Sequence, residues 1–380
     1  MTRLELDVGP VAHGGHLVAR TAEGQVVFVR HALPGERVVV EITETPSSGG
    51  GRFLRGDAVE VLAPSPHRVQ APCPYAGPGR CGGCDFQHVT LEEQRRLKAA
   101  VVREQLHRLA GIDSDVVVEP VEPTLRWRTR MQYVDLGDGR RGLHKHHSHE
   151  VVEIDDCLID HRVPEERSEE RAERLEGPGP SRLAGARTSG TRTETVHTTA
   201  GSRDFEVEAD GFWQPHLEAP RVLVEEVLAV LEPREGERAL DLYSGVGLFT
   251  RFVAEAVGPT GSVVAVEGDR TASRHARANL ADLPWTRCVA GAVDRVLRRG
   301  VGPADVVVLD PPRAGAKKAV VRSITDLAPR AVCYVACDPA ALARDLGYFD
   351  SAGYRLASLR ALDLFPMTHH VECVALLVPA

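Results

Sequence analysis

The sequence predicts a multidomain α/β protein: a doubly wound parallel sheet in the carboxyl-terminal half, preceded by a small amino-terminal β-barrel and a cysteine-rich α+β segment. Three observations carry this reading. Apolar runs alternate with helical segments beyond residue 220, a period-two pattern fills the chain before residue 62, and Pro, Gly and Cys dominate the stretch that follows it. At 380 residues and 43% hydrophobic content, the chain is long enough for two or three cores.

In the first segment Val26 and Phe28, then Val38, Val40 and Ile42, then Val59 and Val61 alternate with polar neighbours. Turns at Gly14-Gly15 and Ser48-Gly49-Gly50-Gly51 separate these runs, which makes a barrel of short strands over 1–62. From Pro64 to Gly83 the composition is that of a loop organised by something other than a core. Thr90 with Glu93 three residues on caps a helix running to about Leu109. Residues 126 to 157 read as hairpin strands, and 165 to 204 as a surface region or linker. A helix over 220–231 precedes the strands Arg238–Leu242, Val263–Glu267, Val306–Leu309 and Val332–Ala336, separated by helical segments. The division is therefore 1–62, 63–210 and 211–380.

A net charge of −8 and a pI near 6.1 argue against holding nucleic acid by bulk electrostatics. A local basic excess stands out instead: Arg126-Trp127-Arg128-Thr129-Arg130, with its arginines on one face of a strand, then Arg140, Arg141, His144, Lys145, His146, His147 and His149. With Trp127 and Tyr133 it is the candidate RNA surface, the histidines reading as a polar hairpin tip. No run approaches 18 apolar residues and MTRLELDVGP lacks a signal-peptide core, so membrane insertion and export are not expected and the cytoplasm is.

The first strand of the sheet runs into Asp241-Leu242-Tyr243-Ser244-Gly245-Val246-Gly247 and a helix beginning near Phe249. Such glycines let backbone approach a ligand at the carboxyl edge of the sheet. The next strand ends at Glu267, about 20 residues on, where an acid can accept from ribose hydroxyls. The loop has two glycines where a pyrophosphate loop has three, an acid precedes them, and a later strand ends Leu309-Asp310-Pro311-Pro312-Arg313. These features favour S-adenosylmethionine over a dinucleotide.

Cys337 closes the strand Ala331–Ala336, on the same edge as Gly245 and Asp310. Carbon 5 of uracil is a poor nucleophile until a thiolate adds at carbon 6, so a cysteine there suits methylation of that carbon. A base must then remove the carbon-5 proton. Glu372, near the start of the last strand, faces Cys337 if that strand is antiparallel. Cys288, Cys333 and Cys373 read as core filling.

Cys73, Cys81 and Cys84, closed by the distant Cys157, have the composition of a four-thiolate site for zinc or an iron–sulfur cluster. A redox Cys-x-x-Cys pair would want a strand before it, and here a Pro/Gly loop precedes it.

With these pieces in place the chain resembles the class I RNA 5-methyluridine methyltransferases over nearly its whole length. The resemblance implies a TRAM-type (OB-like) barrel, a [4Fe–4S] segment and a Rossmann-like domain with a seven-stranded sheet. Phe212-Trp213-Gln214 is similar to the family's Phe-x-Gln, which implies that Gln214 contacts the methyl donor; Tyr243, Glu267 and Asp310 match its other donor-binding positions. Cys337 in Tyr334-Val335-Ala336-Cys337-Asp338-Pro339 matches the nucleophile, and Glu372 in Phe365-Pro366-Met367-Thr368-His369-His370-Val371-Glu372 matches the proton acceptor. Cys73, Cys81, Cys84 and Cys157 match the cluster ligands, favouring iron and sulfur over zinc. Barrel plus cluster is the pattern of members acting on ribosomal RNA, 23S above all, more than on transfer RNA, and a monomer is the expected state. Leu248 and Ala292 depart from the family's usual Asn and Asp.

Overall fold

The computed structural model describes residues 2–45, 53–162 and 190–380. The expected turn at Ser48-Gly49-Gly50-Gly51 and most of the expected linker lie outside them. The chain divides into two compact units: Met1–Glu104 with Glu122–Ala186 and Phe365–His370, and Gln105–Val121 with Arg187–Leu364 and Val371–Ala380.

In the first unit, β1 (Arg3–Val11), β2 (Leu17–Arg20), β3 (Val26–Arg30), β4 (Arg37–Glu44) and β5 (Leu54–Ala63) close into a barrel in the order β1-β2-β3-β5-β4. The alternation seen in the sequence is the cause: Val27, Val29, Val38 and Val40 point inward and are fully buried. Phe86, Val89, Leu97 and Val101 from the segment ending in helix α1 (Leu91–Ala110) join the same core.

Glu36 ties the barrel to the chain leaving it. Its buried carboxylate accepts from Leu33 N (2.8 Å), Ser65 N (3.0 Å) and both Nε and Nη2 of Arg68 (2.6 Å each). Burial pushes its carboxyl up, but the Arg68 hydrogen bonds and charge, with the two amides, outweigh burial and hold it below the ordinary range. Stability from Glu36 is therefore present above the ordinary carboxylate pKa and lost as pH falls through the depressed one. Glu36→Gln leaves Arg68 poorly compensated and is expected to cost about 3 kcal/mol in urea unfolding at neutral pH; an unchanged midpoint would contradict this account.

Three short strands, β7 (Val134–Gly137), β8 (Arg140–His144) and β9 (Val151–Glu153), form a small antiparallel sheet in the same unit. The stretch 126–130 is not a strand. Arg126 sits at φ 57° and its guanidinium turns inward onto Asp156 (2.9 and 2.5 Å), while Trp127, 1% exposed, packs edge-on against Phe365. Arg140 pairs with Glu153 and Lys145 with Glu150, so part of the basic excess is neutralised within the small sheet.

In the second unit the sheet order is β14-β13-β12-β15-β16-β18-β17-β6. Its parallel part is β14 (Thr286–Ala290), β13 (Ser262–Glu267), β12 (Arg238–Leu242), β15 (Val306–Leu309) and β16 (Ala331–Ala336). β18 (Glu372–Pro379) runs antiparallel to β16 and to β17 (Tyr354–Asp363). Seven strands were expected; an eighth, β6 (Val118–Pro120), adds in parallel to β17. Arg360 of β17 holds it, bonding Glu119 at 2.9 and 2.5 Å and also engaging Glu226. β15 and β16 read as unbroken apolar runs because every residue of both is buried, as expected for strands covered on two faces.

Helices α2 (Ala219–Leu231), α3 (Leu248–Val257), α4 (Arg270–Asn279), α5 (Val293–Arg299), α6 (Lys317–Thr325) and α7 (Pro339–Asp350) connect the strands. The end of the expected linker is structured: β10 (Thr191–Thr198) and β11 (Gly201–Glu208) form a hairpin. Its alternating polar face hid it in the sequence, but Val196, Phe205 and Val207 are buried, and Asn279 of α4 bonds both N and O of Glu206.

Candidate active site and cysteine cavity

The carboxyl ends of β12, β13, β15 and β16 gather the residues singled out above. After β12, Tyr243 sits at φ 63°, and Gly245 and Gly247 at φ 56° and 92°, a left-handed path costly for Tyr and free for Gly. A side chain at Gly245 would meet no atom within 4 Å, so the turn faces open space. Glu267 braces it: one oxygen accepts from Gly245 N (2.8 Å), the other from Asp269 N (2.6 Å). Each oxygen keeps a further lone pair for ribose hydroxyls. Asp241 Oδ1 and Ser244 Oγ are buried without a hydrogen-bond partner. Polar atoms left so beside an open turn suit a polar ligand.

Gln214, 8% exposed, donates to Asp310 Oδ2 at 3.2 Å. Burial, then the charge of Asp241, pushes the Asp310 carboxyl up to about 7, with the Gln214 bond opposing. Burial does the same to Asp241, also to about 7. Stability contributed by these acids is present in the acid range and lost as pH rises through about 7. A cationic ligand favours their ionised forms, so it binds better where they are ionised. The thermal stabilisation by S-adenosylmethionine, relative to its uncharged thioether product, is therefore expected to grow from about pH 6 to about pH 8. Differential scanning fluorimetry with both ligands measures this, and a pH-independent gap would rule it out.

Cys337 follows β16 directly, one residue before the α7 N-cap Asp338, whose side chain accepts from Ala341 N. Ala336 pairs with Cys373 across β16 and β18, so the next register step sets Cys337 beside Glu372. Glu372 is 3% exposed, and burial, then the charge of Asp310, raises its carboxyl well above the ordinary value. Burial, then Glu372 and Asp310, pushes the Cys337 thiol up to about 12; Arg313 pulls it back. The α7 amino terminus also favours a thiolate. Arg313 had no assigned role in the sequence reading, although it is the one cation in the Asp310-Pro311-Pro312-Arg313 turn. Cys333 and Cys373 are buried in the sheet and Cys288 is half-buried.

In the first unit, Cys73, Cys81, Cys84 and Cys157 all line one cavity of about 290 Å³, with Gly82, Gly83, His146 and His147 among its walls. The Cys-Gly-Gly-Cys turn docks on the tip of the small sheet: Gly82 N donates to His144 O (3.0 Å), and a side chain at Gly82 would lie 2.5 Å from His146 N. The histidine tip is thus part of the cavity wall, and burial pushes His146 down to about 4. The four thiols are free of disulfides. Burial raises Cys81, Cys84 and Cys157, so as bare thiolates they would be unstable there; Cys81 and Cys84 sulfurs receive bonds from Gly83 N and Gln87 Nε2, both at 3.4 Å. Thiols gathered around one cavity, with donors aimed at two of the sulfurs, suit a cationic metal group. Among the described residues, no three His, Cys, Asp or Glu side chains converge on a single ion position. No helix of the described residues is long and apolar enough to cross a membrane.

Sheet order, glycine turn and strand-end acids define a class I S-adenosylmethionine-dependent methyltransferase domain, here in a chain that also carries a TRAM barrel. Residues 2–59 match the TRAM domain and residues 303–379 the tRNA (Uracil-5-)-methyltransferase family. An uncharacterized RNA methyltransferase of Streptomyces coelicolor is 46% identical over 99% of this chain and 93% of its own length. One from Bifidobacterium longum is 37% identical over 99% and 97%. The crystal structure of Pyrococcus abyssi tRNA (uracil-54, C5)-methyltransferase with S-adenosyl-L-homocysteine superposes with TM-score 0.72 at 23% identity, covering 99% of this chain and 100% of that one. The chain belongs to the family of RNA methyltransferases that these relatives define, with the class I S-adenosylmethionine-dependent fold.

Proposed function

We propose that this protein methylates carbon 5 of a uridine in ribosomal RNA, 23S rRNA above all, with Cys337 as nucleophile and Glu372 as base. The observation that carries the reading is the β16–β18 register, which brings one half-buried thiol and one buried carboxylate together at the edge where Asp310 and Gly245 lie. The sulfur of Cys337 adds to carbon 6 of a uracil flipped from its stack, and the electron pair moves onto carbon 5. Carbon 5 then takes the methyl group of the donor, whose sulfur leaves as a thioether. The carboxylate of Glu372 removes the carbon-5 proton, the carbon–sulfur bond breaks, and the thiolate is restored. A raised pKa makes Glu372 a stronger base for that step. Gln214, Tyr243, Glu267 and Asp310 hold the donor, with Arg313 favouring the thiolate.

Ribosomal RNA is preferred on the resemblance alone, in which a barrel together with a four-cysteine segment is more typical of members acting on ribosomal RNA; this chain has both. Unmodified ribosomal and transfer RNA, each incubated with labelled donor and digested to nucleosides, distinguish the substrates: 5-methyluridine from transfer RNA alone would replace the preferred target. The protein is read as a cytoplasmic monomer.

Cys73, Cys81, Cys84 and Cys157 are read as the ligands of a [4Fe–4S] cluster, with zinc as the alternative. A single zinc needs thiolates converging at about 2.3 Å, whereas a cluster takes one thiolate per iron and suits sulfurs spread about a cavity. Anaerobically purified protein is expected to hold about four irons per chain with matching sulfide, and Cys84→Ser to lose most of it. Zinc without iron would overturn the cluster.

A further inference from the structure

The chain spends six residues, Phe365–His370, in the first unit and then returns at Val371, one residue before Glu372. Hydrogen bonds on this short segment come from the stretch that begins directly after Cys84. Asp85 N and Phe86 N both donate to Met367 O (2.9 and 3.0 Å). Gln94 Oε1 accepts from Met367 N (2.9 Å), and Lys98 Nζ donates to Phe365 O (3.0 Å). Met367 is held at φ 67°, a conformation that a non-glycine residue keeps only when its surroundings impose it.

The tightest hold is on His369. One oxygen of Asp85 takes both its backbone N (3.1 Å) and its ring Nδ1 (2.6 Å). Gly15 of the barrel backs the same residue: a side chain there would lie 2.4 Å from His369 Cβ, so only glycine allows the approach. His369 is thus gripped by main chain on one side and a carboxylate on the other, three residues before the base.

We propose that Asp85 is a positioning residue for methyl transfer: by fixing His369 it fixes the entry into β18 and sets Glu372 against carbon 5. This rests on Glu372 being the proton acceptor. It gives the loop carrying Cys84 a part in turnover, since Asp85 is the next residue. The remaining contacts through Gln94, Lys98 and the Asp85 and Phe86 amides do not need the carboxylate, so the segment stays folded without it.

A misplaced base slows only the last step, so the diagnostic is a methylated RNA–protein adduct that survives denaturing electrophoresis. Asp85→Ala is expected to lower kcat by about ten- to a hundredfold, to lower KM for RNA by a similar factor because kcat/KM is set by the steps before the adduct, to retain its iron, and to accumulate adduct; Asp85→Asn is expected to lie between it and wild type. Circular dichroism and iron content are measured first, and if Asp85→Ala loses either, His369→Ala, which leaves the residue beside Cys84 intact, decides. Glu372→Gln is the control. If it traps adduct while the Asp85 and His369 variants turn over normally, or slow without adduct, the positioning role is wrong though the base is right. If Glu372→Gln traps none, the base assignment fails and the positioning role falls with it.

Discussion

Cys337→Ala is expected to lower 5-methyluridine formation by about 10⁴-fold or more while leaving donor binding intact. The size follows from the chemistry: without sulfur at carbon 6, carbon 5 has no electron pair to offer a sulfonium methyl, and no neighbouring group can replace it. Donor affinity should survive because the glycine turn and Glu267 lie on other strands, braced by Gly245 N and Asp269 N. Isothermal titration with S-adenosylmethionine and a nucleoside digest of methylated RNA measure the two separately. Equal methylation by the variant would remove the covalent route, and loss of both properties would mean that Cys337 supports the fold instead.

Glu372→Gln is expected to lower turnover by about 10²- to 10⁴-fold and to leave a covalent RNA–enzyme species carrying the new methyl group. The amide nearly matches the carboxylate in shape and cannot accept the carbon-5 proton. It also removes a negative charge that raises the Cys337 thiol, so addition should be no slower in the variant. Single-turnover label from the donor's methyl should therefore appear on protein-linked RNA at near wild-type amplitude and fail to release. Free 5-methyluridine RNA at the wild-type rate would assign the proton to another group.

Much of the architecture was legible because apolar periodicity reports burial directly. Val27, Val29, Val38 and Val40 show the barrel by alternation, and Val306–Leu309 shows a two-sided strand by its unbroken run. The hairpin β10–β11 was missed because its strands bury only scattered positions, and β6 because three residues are too short for any period. Arg126 and Trp127 misled for a related reason: composition marks a residue as basic or aromatic but does not say which way a strained turn points it.

By itself the sequence determined which chemical groups are available: one cysteine at a strand end, acids after neighbouring strands, the closely spaced Cys73, Cys81 and Cys84, and a glycine turn. Those facts are local, since strand ends, turns and spacings are written within a few residues of each other. Only the tertiary structure decided which distant groups meet. The antiparallel return of β18 puts Glu372 beside Cys337, and the fold brings Asp85 to His369 across 284 residues of chain. Long-range pairing depends on how whole elements pack to bury their apolar faces, and no single stretch of sequence carries that information.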